Sequence, residues 1–221
     1  ASPAYGVNRF MLDRIGNEKA RATTIVQYQA NSKFPKHTHI GGEEFLVLSV
    51  TFKDQFGESP EGSYVRNPIG SAHEPFVDDD GCTILVKLLQ MADTGEGIAP
   101  LHVNLGQARE KDGTSTEYRI VAKLYENSVT GEVVEMCWLD ADKTLIVDNK
   151  CFVVQGSLLL GDDVFGPWGW LRFPTTGHEL RSKLRAGSDG AQVFRKTGHL
   201  TEKALSMEKI QINQDETVRI N

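Results

Sequence analysis

His37-Thr-His-Ile-Gly-Gly-Glu43, joined further along by Pro68-Ile-Gly-Ser-Ala-His73, decides how this chain reads. His37, His39 and Glu43 stand at even intervals. On an extended strand side chains alternate with period two, so all three point the same way, allowing for a kink at Gly41-Gly42. Two imidazoles and a carboxylate aimed at one point are the outline of a metal site. His73, on a second strand, supplies a fourth ligand. Glu44 is the alternative acid, but its parity sends it to the opposite face.

Outside this cluster the chain is ordinary. It has 221 residues, 39% hydrophobic and 24% charged, enough for one large β domain or two small ones. A net charge of −6 argues against a nucleic-acid partner, which selects a basic face. The one basic run, Arg181-Ser-Lys-Leu-Arg185, alternates as a solvated strand face would. No apolar run is long enough for a membrane span, and the start of the chain lacks signal-peptide features. Three cysteines, Cys82, Cys137 and Cys151, with no C-x-x-C spacing, fit free thiols in a reducing compartment, hence a cytoplasmic location.

Strand signals dominate. Phe45–Phe52, Cys82–Leu89, Cys151–Gln155 and Ala191–Arg195 are short, rich in β-branched or aromatic residues, and bounded by Gly, Asp and Pro. The one helix candidate is Thr201–Glu208, with Thr201 as N-cap. The chain also repeats itself. At a shift of 106, Phe45–Phe52 lies over Cys151–Leu158 and Tyr64-Val-Arg66-Asn-Pro68 over Trp170-Leu-Arg172-Phe-Pro174. After one deletion, Gly70-Ser-Ala-His73 meets Gly177-His178, and Gly81–Lys87 meets Gly190–Lys196. Two copies of one all-β unit follow, spanning 1–105 and 106–221, with the join near Gly106–Gly113. The second copy has lost the cluster: Lys143 stands for His37, Leu145 for His39 and Asn149 for Glu43, leaving His178 as a remnant. Arg66 and Arg172 recur in both copies, which suggests a scaffold role such as pairing a carboxylate. His102 and His199 read as structural. Trp138, Trp168 and Trp170 read as packing in the second barrel.

These residues resemble the cupins. His37, His39 and Glu43 fit the first cupin motif, although Val50 stands where its Gly is expected and Gly156 keeps that Gly in the second copy. Gly62, Pro68, Gly70 and His73 meet the second motif in full. More narrowly, G-G-E-E-F-L-V-L, G-x-Y-x-R-N-P-x-G-S-x-H-x-P and G-C-T-I-L-V-K are similar to the cupin-like domain of the ChrR anti-sigma factors. The resemblance implies an all-β chain of two tandem cupin barrels, jelly-roll-like double-stranded β-helices. It implies one metal per chain, held by His37, His39, Glu43 and His73. Zinc is the leading ion, with Fe, Ni or Mn as alternatives.

A ChrR-like regulatory or sensor role follows from the same likeness. The sigma-binding domain of that group carries a His/Cys zinc motif, and no His-x3-Cys-x2-Cys occurs in these 221 residues. The alternative is a mononuclear metal-dependent dioxygenase acting on a small carbonyl compound. The partners this reading allows are a small molecule at the metal, a protein, or a second copy of the chain as a homodimer. It includes neither nucleic acid nor membrane. No catalytic base or nucleophile is evident.

Overall fold

The computed structural model describes residues 4–16, 20–105, 118–147, 149–173 and 182–210. The chain divides into two compact units, Ala1–Gln107 with Leu200–Asn221, and Ala108–His199. The first unit contains β1 (Val7–Ile15), β2 (Arg21–Tyr28), β3 (His37–Thr38), β4 (Glu43–Asp54), β5 (Gly57–Pro60), β6 (Ser63–Asn67), β7 (Ala72–His73), β8 (Cys82–Leu88) and β9 (Leu101–Asn104). The second contains β10 (Arg119–Asn127), β11 (Glu132–Leu139), β12 (Thr144–Val147), β13 (Lys150–Leu160), β14 (Asp163–Phe165), β15 (Trp170–Arg172) and β16 (Ser182–Thr197). The expected strands are all present, and the last two expected strands extend well beyond their apolar cores.

In the first unit the order is β1-β2-β8-β4-β6-β9, with β5 on β4 and a separate β3-β7 pair. All pairings are antiparallel. Alternation puts Val7, Val26, Phe45, Val47, Val65, Ile84 and Val86 on the inner face, where they form one core with Phe52 and Tyr28. Burying each such side chain contributes about 1.5–3 kcal/mol. Glu43 has the parity of Phe45 and Val47 and lies in register with Asn67 and Leu88. One layer of the inner face is therefore polar where its neighbours are apolar.

The second unit is ordered β10-β11-β16-β13-β14, with β12 on β16 and β15 on β13. Its pairings repeat those of the first at the offsets read from sequence. Glu44↔Arg66 recurs as Lys150↔Arg172, and Val47↔Ile84 recurs as Val153↔Val193. Even the irregularity recurs, between Val47 and Ser49 and between Val153 and Gln155.

Helix α1 (Glu202–Ser206) is capped by Thr201, whose hydroxyl accepts from Ala204 N at 3.2 Å. It follows the second copy in sequence but belongs to the first unit. Glu208 just beyond it pairs with Arg21 at 2.5 Å, both side chains nearly inaccessible, and Asp93 N donates to Met207 O at 2.7 Å.

Candidate metal centre

His37 and His73 face each other across the β3-β7 pair. His39 lies just past β3, fixed by its N–H to Ser71 O at 2.9 Å and by Gly70 N to its own carbonyl at 2.8 Å. A turn at Ile40-Gly41 then delivers Glu43 to the start of β4. The expected kinked strand is thus a strand, a turn and a second strand. The turn needs its glycines. Gly42 has φ +76°, and a Cβ there would meet Met91 Sδ at 2.3 Å; one on Gly41 would meet Leu89 Cγ at 2.7 Å.

The three imidazoles form a near-equilateral triangle, with ring centroids 4.7, 4.8 and 4.9 Å apart. Glu43 Oε2 closes it, 3.3 Å from His73 Nε2 and 3.6 Å from His39 Nε2. The four donor atoms lie within 4.8 Å of one another. Two ligands of one ion with bonds of ~2.1 Å stand at most ~4.2 Å apart, so a small contraction suffices. His39, Glu43 and His73 are buried, whereas His37 is half-buried and marks the side open to solvent.

Each ring is held from behind. His37 Nδ1 donates to Pro35 O at 2.9 Å, and His73 Nδ1 donates to Asp54 Oδ2 at 3.1 Å. Those bonds fix the tautomer and leave both Nε2 lone pairs facing the centre. Glu43 Oε2 accepts from Asn67 Nδ2 at 3.1 Å. His39 Nε2 and His73 Nε2 are buried and have no hydrogen-bond partner. A buried lone pair without a partner is costly, and a bound cation would satisfy both at once. Three imidazoles and one carboxylate suit a borderline divalent transition metal, so these residues fit the ion that the motif implies.

Electrostatics prepares the donors. Burial pushes the His39 imidazole down to about 4, against the pull of Glu43, so it is neutral at pH 7 and ready to bind. Burial would raise Glu43, but the three neighbouring imidazoles and the Asn67 amide outweigh it and hold the carboxyl below its usual range.

The four expected ligands are thus brought together, and Glu44 is not among them. It lies on the outer face, accepting from Tyr64 Oη at 2.8 Å and from Arg66 Nη1 at 3.2 Å. Arg66 does pair a carboxylate, and Arg172 stands in register with Lys150 where Arg66 stands in register with Glu44. His178 lies outside the described residues. Among the described residues, His37 faces His73 in the first unit, and in the second Ala186 N donates to Lys143 O at 2.8 Å. Ala186, in the position facing Lys143, belongs to a core that also includes Leu145 and Leu184. Trp138 and Trp170 are half-buried, and Trp168 is 41% exposed. All three cysteines are free and buried, and burial pushes the thiols of Cys82 and Cys151 up to about 12. Sequence reasoning missed Asp54 and Asn67, because a hairpin turn and strand register, not motif spacing, bring them to the ligands.

Residues 1–92 match the family model of the ChrR Cupin-like domain. No curated protein is similar to the chain at a significant level. Among solved structures, a provisionally assigned dioxygenase from Nostoc punctiforme is 12% identical, with TM-score 0.64, covering 89% of this chain and 80% of its own. The bacterial pirin YhhW from Escherichia coli, solved in complex with nickel(II), is 12% identical with TM-score 0.61, covering 88% and 93%. A cupin 2 conserved barrel domain protein from Leptotrichia buccalis is 8% identical with TM-score 0.55, covering 89% and 90%. The fold is cupin-like. It is all-β, and its one complete donor set among the described residues is the His/Glu cluster of the first unit. No helix among the described residues is long and apolar enough to cross a membrane.

Proposed function

We propose that the first unit holds one divalent transition metal, zinc first among the candidates, and that the protein is a metal-dependent regulator or sensor of the ChrR type. The observation that carries the metal is the pair of buried, unpartnered Nε2 atoms on His39 and His73, facing the Glu43 carboxylate. The match of residues 1–92 to the ChrR Cupin-like domain supports the regulatory role. A zinc ion bound by all four side chains has a filled tetrahedral shell, the arrangement of structural and signalling sites. Loss of the ion would leave three imidazoles and a carboxylate crowded together, so occupancy would be transmitted to the strands that carry them. The experiment is elemental analysis together with the conformational response to chelator or oxidant. A change without turnover supports the sensor.

A second reading has its own support. His37 is half-buried, and its ring meets the edge of Phe34 at 5.0 Å. Arg9 lies over the Phe34 ring at 5.8 Å and lines a cavity with Arg14, Met11, Thr24 and Leu88. An octahedral ion keeps two positions for substrate and oxygen. A mononuclear dioxygenase acting on a small carbonyl compound would use those two positions, on the side where His37 is half-buried, and the Nostoc structure lends this reading fold-level support. Repeated oxygen consumption by Fe(II)-loaded protein with an enolisable carbonyl compound, absent from His37→Ala, would replace the sensor reading with this one.

A further inference from the structure

The β4–β5 hairpin turn reaches His73 from behind with two consecutive side chains. Asp54, buried, accepts from His73 Nδ1 at 3.1 Å through Oδ2, and its Oδ1 accepts from Phe56 N at 2.8 Å. Gln55 is exposed, and its amide brackets the ligand's own backbone. Its Nε2 donates to Ala72 O and its Oε1 accepts from Glu74 N, both at 2.9 Å. The residue before His73 and the residue after it are therefore tied to one side chain, and the ring between them to its neighbour. Strand β7 is only two residues long. Ladder hydrogen bonds alone fix it weakly.

The second unit acts as an internal control. Its hairpin has the same register, with Phe52↔Ser59 repeated as Leu158↔Phe165 and Asp54↔Gly57 as Leu160↔Asp163. At the positions of Asp54 and Gln55 stand Leu160 and Gly161. The hairpin therefore forms without a carboxylate or an amide there. Both groups are missing from the unit that lacks the ligands and present in the unit that has them.

We infer that Asp54 and Gln55 are positioning residues for the metal centre, a clamp that sets the ring orientation and depth of His73. The inference rests on the proposed metal site. A carboxylate on the far nitrogen fixes the tautomer, turns the ring toward the ion and makes the near nitrogen a better donor. Its removal leaves all four ligands in place but lets one of them tilt.

The test is Zn(II) affinity by chelator competition on the full-length protein, with circular dichroism as the check on folding. Asp54→Ala should weaken binding by about 10- to 100-fold, the range typical of lost outer-shell partners. Asp54→Asn keeps an acceptor without the charge and should fall between the wild type and Asp54→Ala. Gln55→Ala should weaken binding by a smaller factor. Glu58→Ala, on the solvent side of the same hairpin, should change nothing. The absorption bands of the Co(II)-loaded protein should shift in Asp54→Asn, a signature that mere loss of hairpin stability would not produce. Wild type that binds zinc beside folded Asp54→Asn and Gln55→Ala variants of unchanged affinity and spectrum overturns the clamp alone. Wild type that binds no divalent metal overturns the clamp and the proposed centre together. If Asp54→Ala does not fold, Asp54→Asn and Gln55→Ala decide the matter.

Discussion

The two units share one set of strand registers and differ in what the inner face carries. Glu43 and Asn149 occupy the same position, as do His39 and Leu145. In the first unit that position holds a buried imidazole beside a carboxylate; in the second it holds an alkyl side chain in a continuous apolar core. Ser71 bonds the His39 backbone in the first unit, and Leu184 stands across from Leu145 in the second. The comparison teaches that the antiparallel scaffold does not require the site. Backbone ladders and the inner rows of Val, Ile, Leu and Phe suffice to build the barrel. The donor cluster is an added polar layer that costs stability unless a cation fills it.

The sharpest way to break this comparison is to count metal. We expect roughly one equivalent per chain, set by the single complete donor set among the described residues. His37→Ala and His73→Ala should abolish stoichiometric binding, whereas His178→Ala should leave it intact. Two equivalents, or metal retained in His37→Ala, would mean that the second unit binds as well or that the centre lies elsewhere.

Exchanging chemistry between the units should cost less than losing the metal but remain large. Leu145→His places an imidazole in an apolar core and should destabilise the second unit by about 2–4 kcal/mol, read from denaturant midpoints. His39→Leu should abolish binding yet make the metal-free protein less sensitive to acid. The sign follows from the two protonation states. The unfolded chain takes up a proton on this imidazole below about pH 6.5, the folded chain only below about 4. Between those values the unfolded state holds more protons, so stability falls as the pH drops from about 6.5 toward 4, by about 3 kcal/mol in total. Glu43, held below the ordinary carboxylate range, adds a further loss at lower pH. Denaturation of chelator-treated protein across this range should show the slope in wild type and a shallower one in His39→Leu. Metal should leave in the same acid window, because protons compete for the imidazoles.

Backbone changes in the bulged strands of both units run down to the smallest effect. Gly156 has φ +70°, and a Cβ there would meet Gly190 O at 2.1 Å. Gly156→Ala should therefore cost roughly 2–4 kcal/mol in thermal or chemical unfolding. Its counterpart Val50 adopts φ +61° as a β-branched residue and is 40% exposed. Val50→Gly relieves that strain but loosens the unfolded chain, so we expect a gain of only ~0.5–1 kcal/mol. A loss at Val50→Gly would show that the two bulges are not equivalent.

Much of this was legible beforehand, for local reasons. Period-two alternation marked the strands, and along β4 it sets Glu43 and Glu44 on opposite faces, although a turn separates them from His37 and His39. The shift of 106 exposed the repeat because equal spacing preserves register. The alignment of His73 with His178 falls outside the described residues; among them, the long strand β16 of the second unit takes in the positions that face β12. Across from Arg172 stands Lys150, where the first unit has Glu44 across from Arg66.

The sequence by itself determined an all-β chain of two related copies, with four metal-donor residues in one copy and an ammonium, an alkyl and an amide group at three of the matching positions in the other. Periodicity and motif spacing are properties of neighbouring residues, and they survive without coordinates. Only the tertiary structure decided what stands behind the ligands. Asp54, Gln55 and Asn67 reach the centre across a hairpin and a neighbouring strand. Glu208 returns from the far end of the chain to pair with Arg21. Such contacts depend on strand register and on where a turn places its side chains, and no local pattern in the chain encodes them.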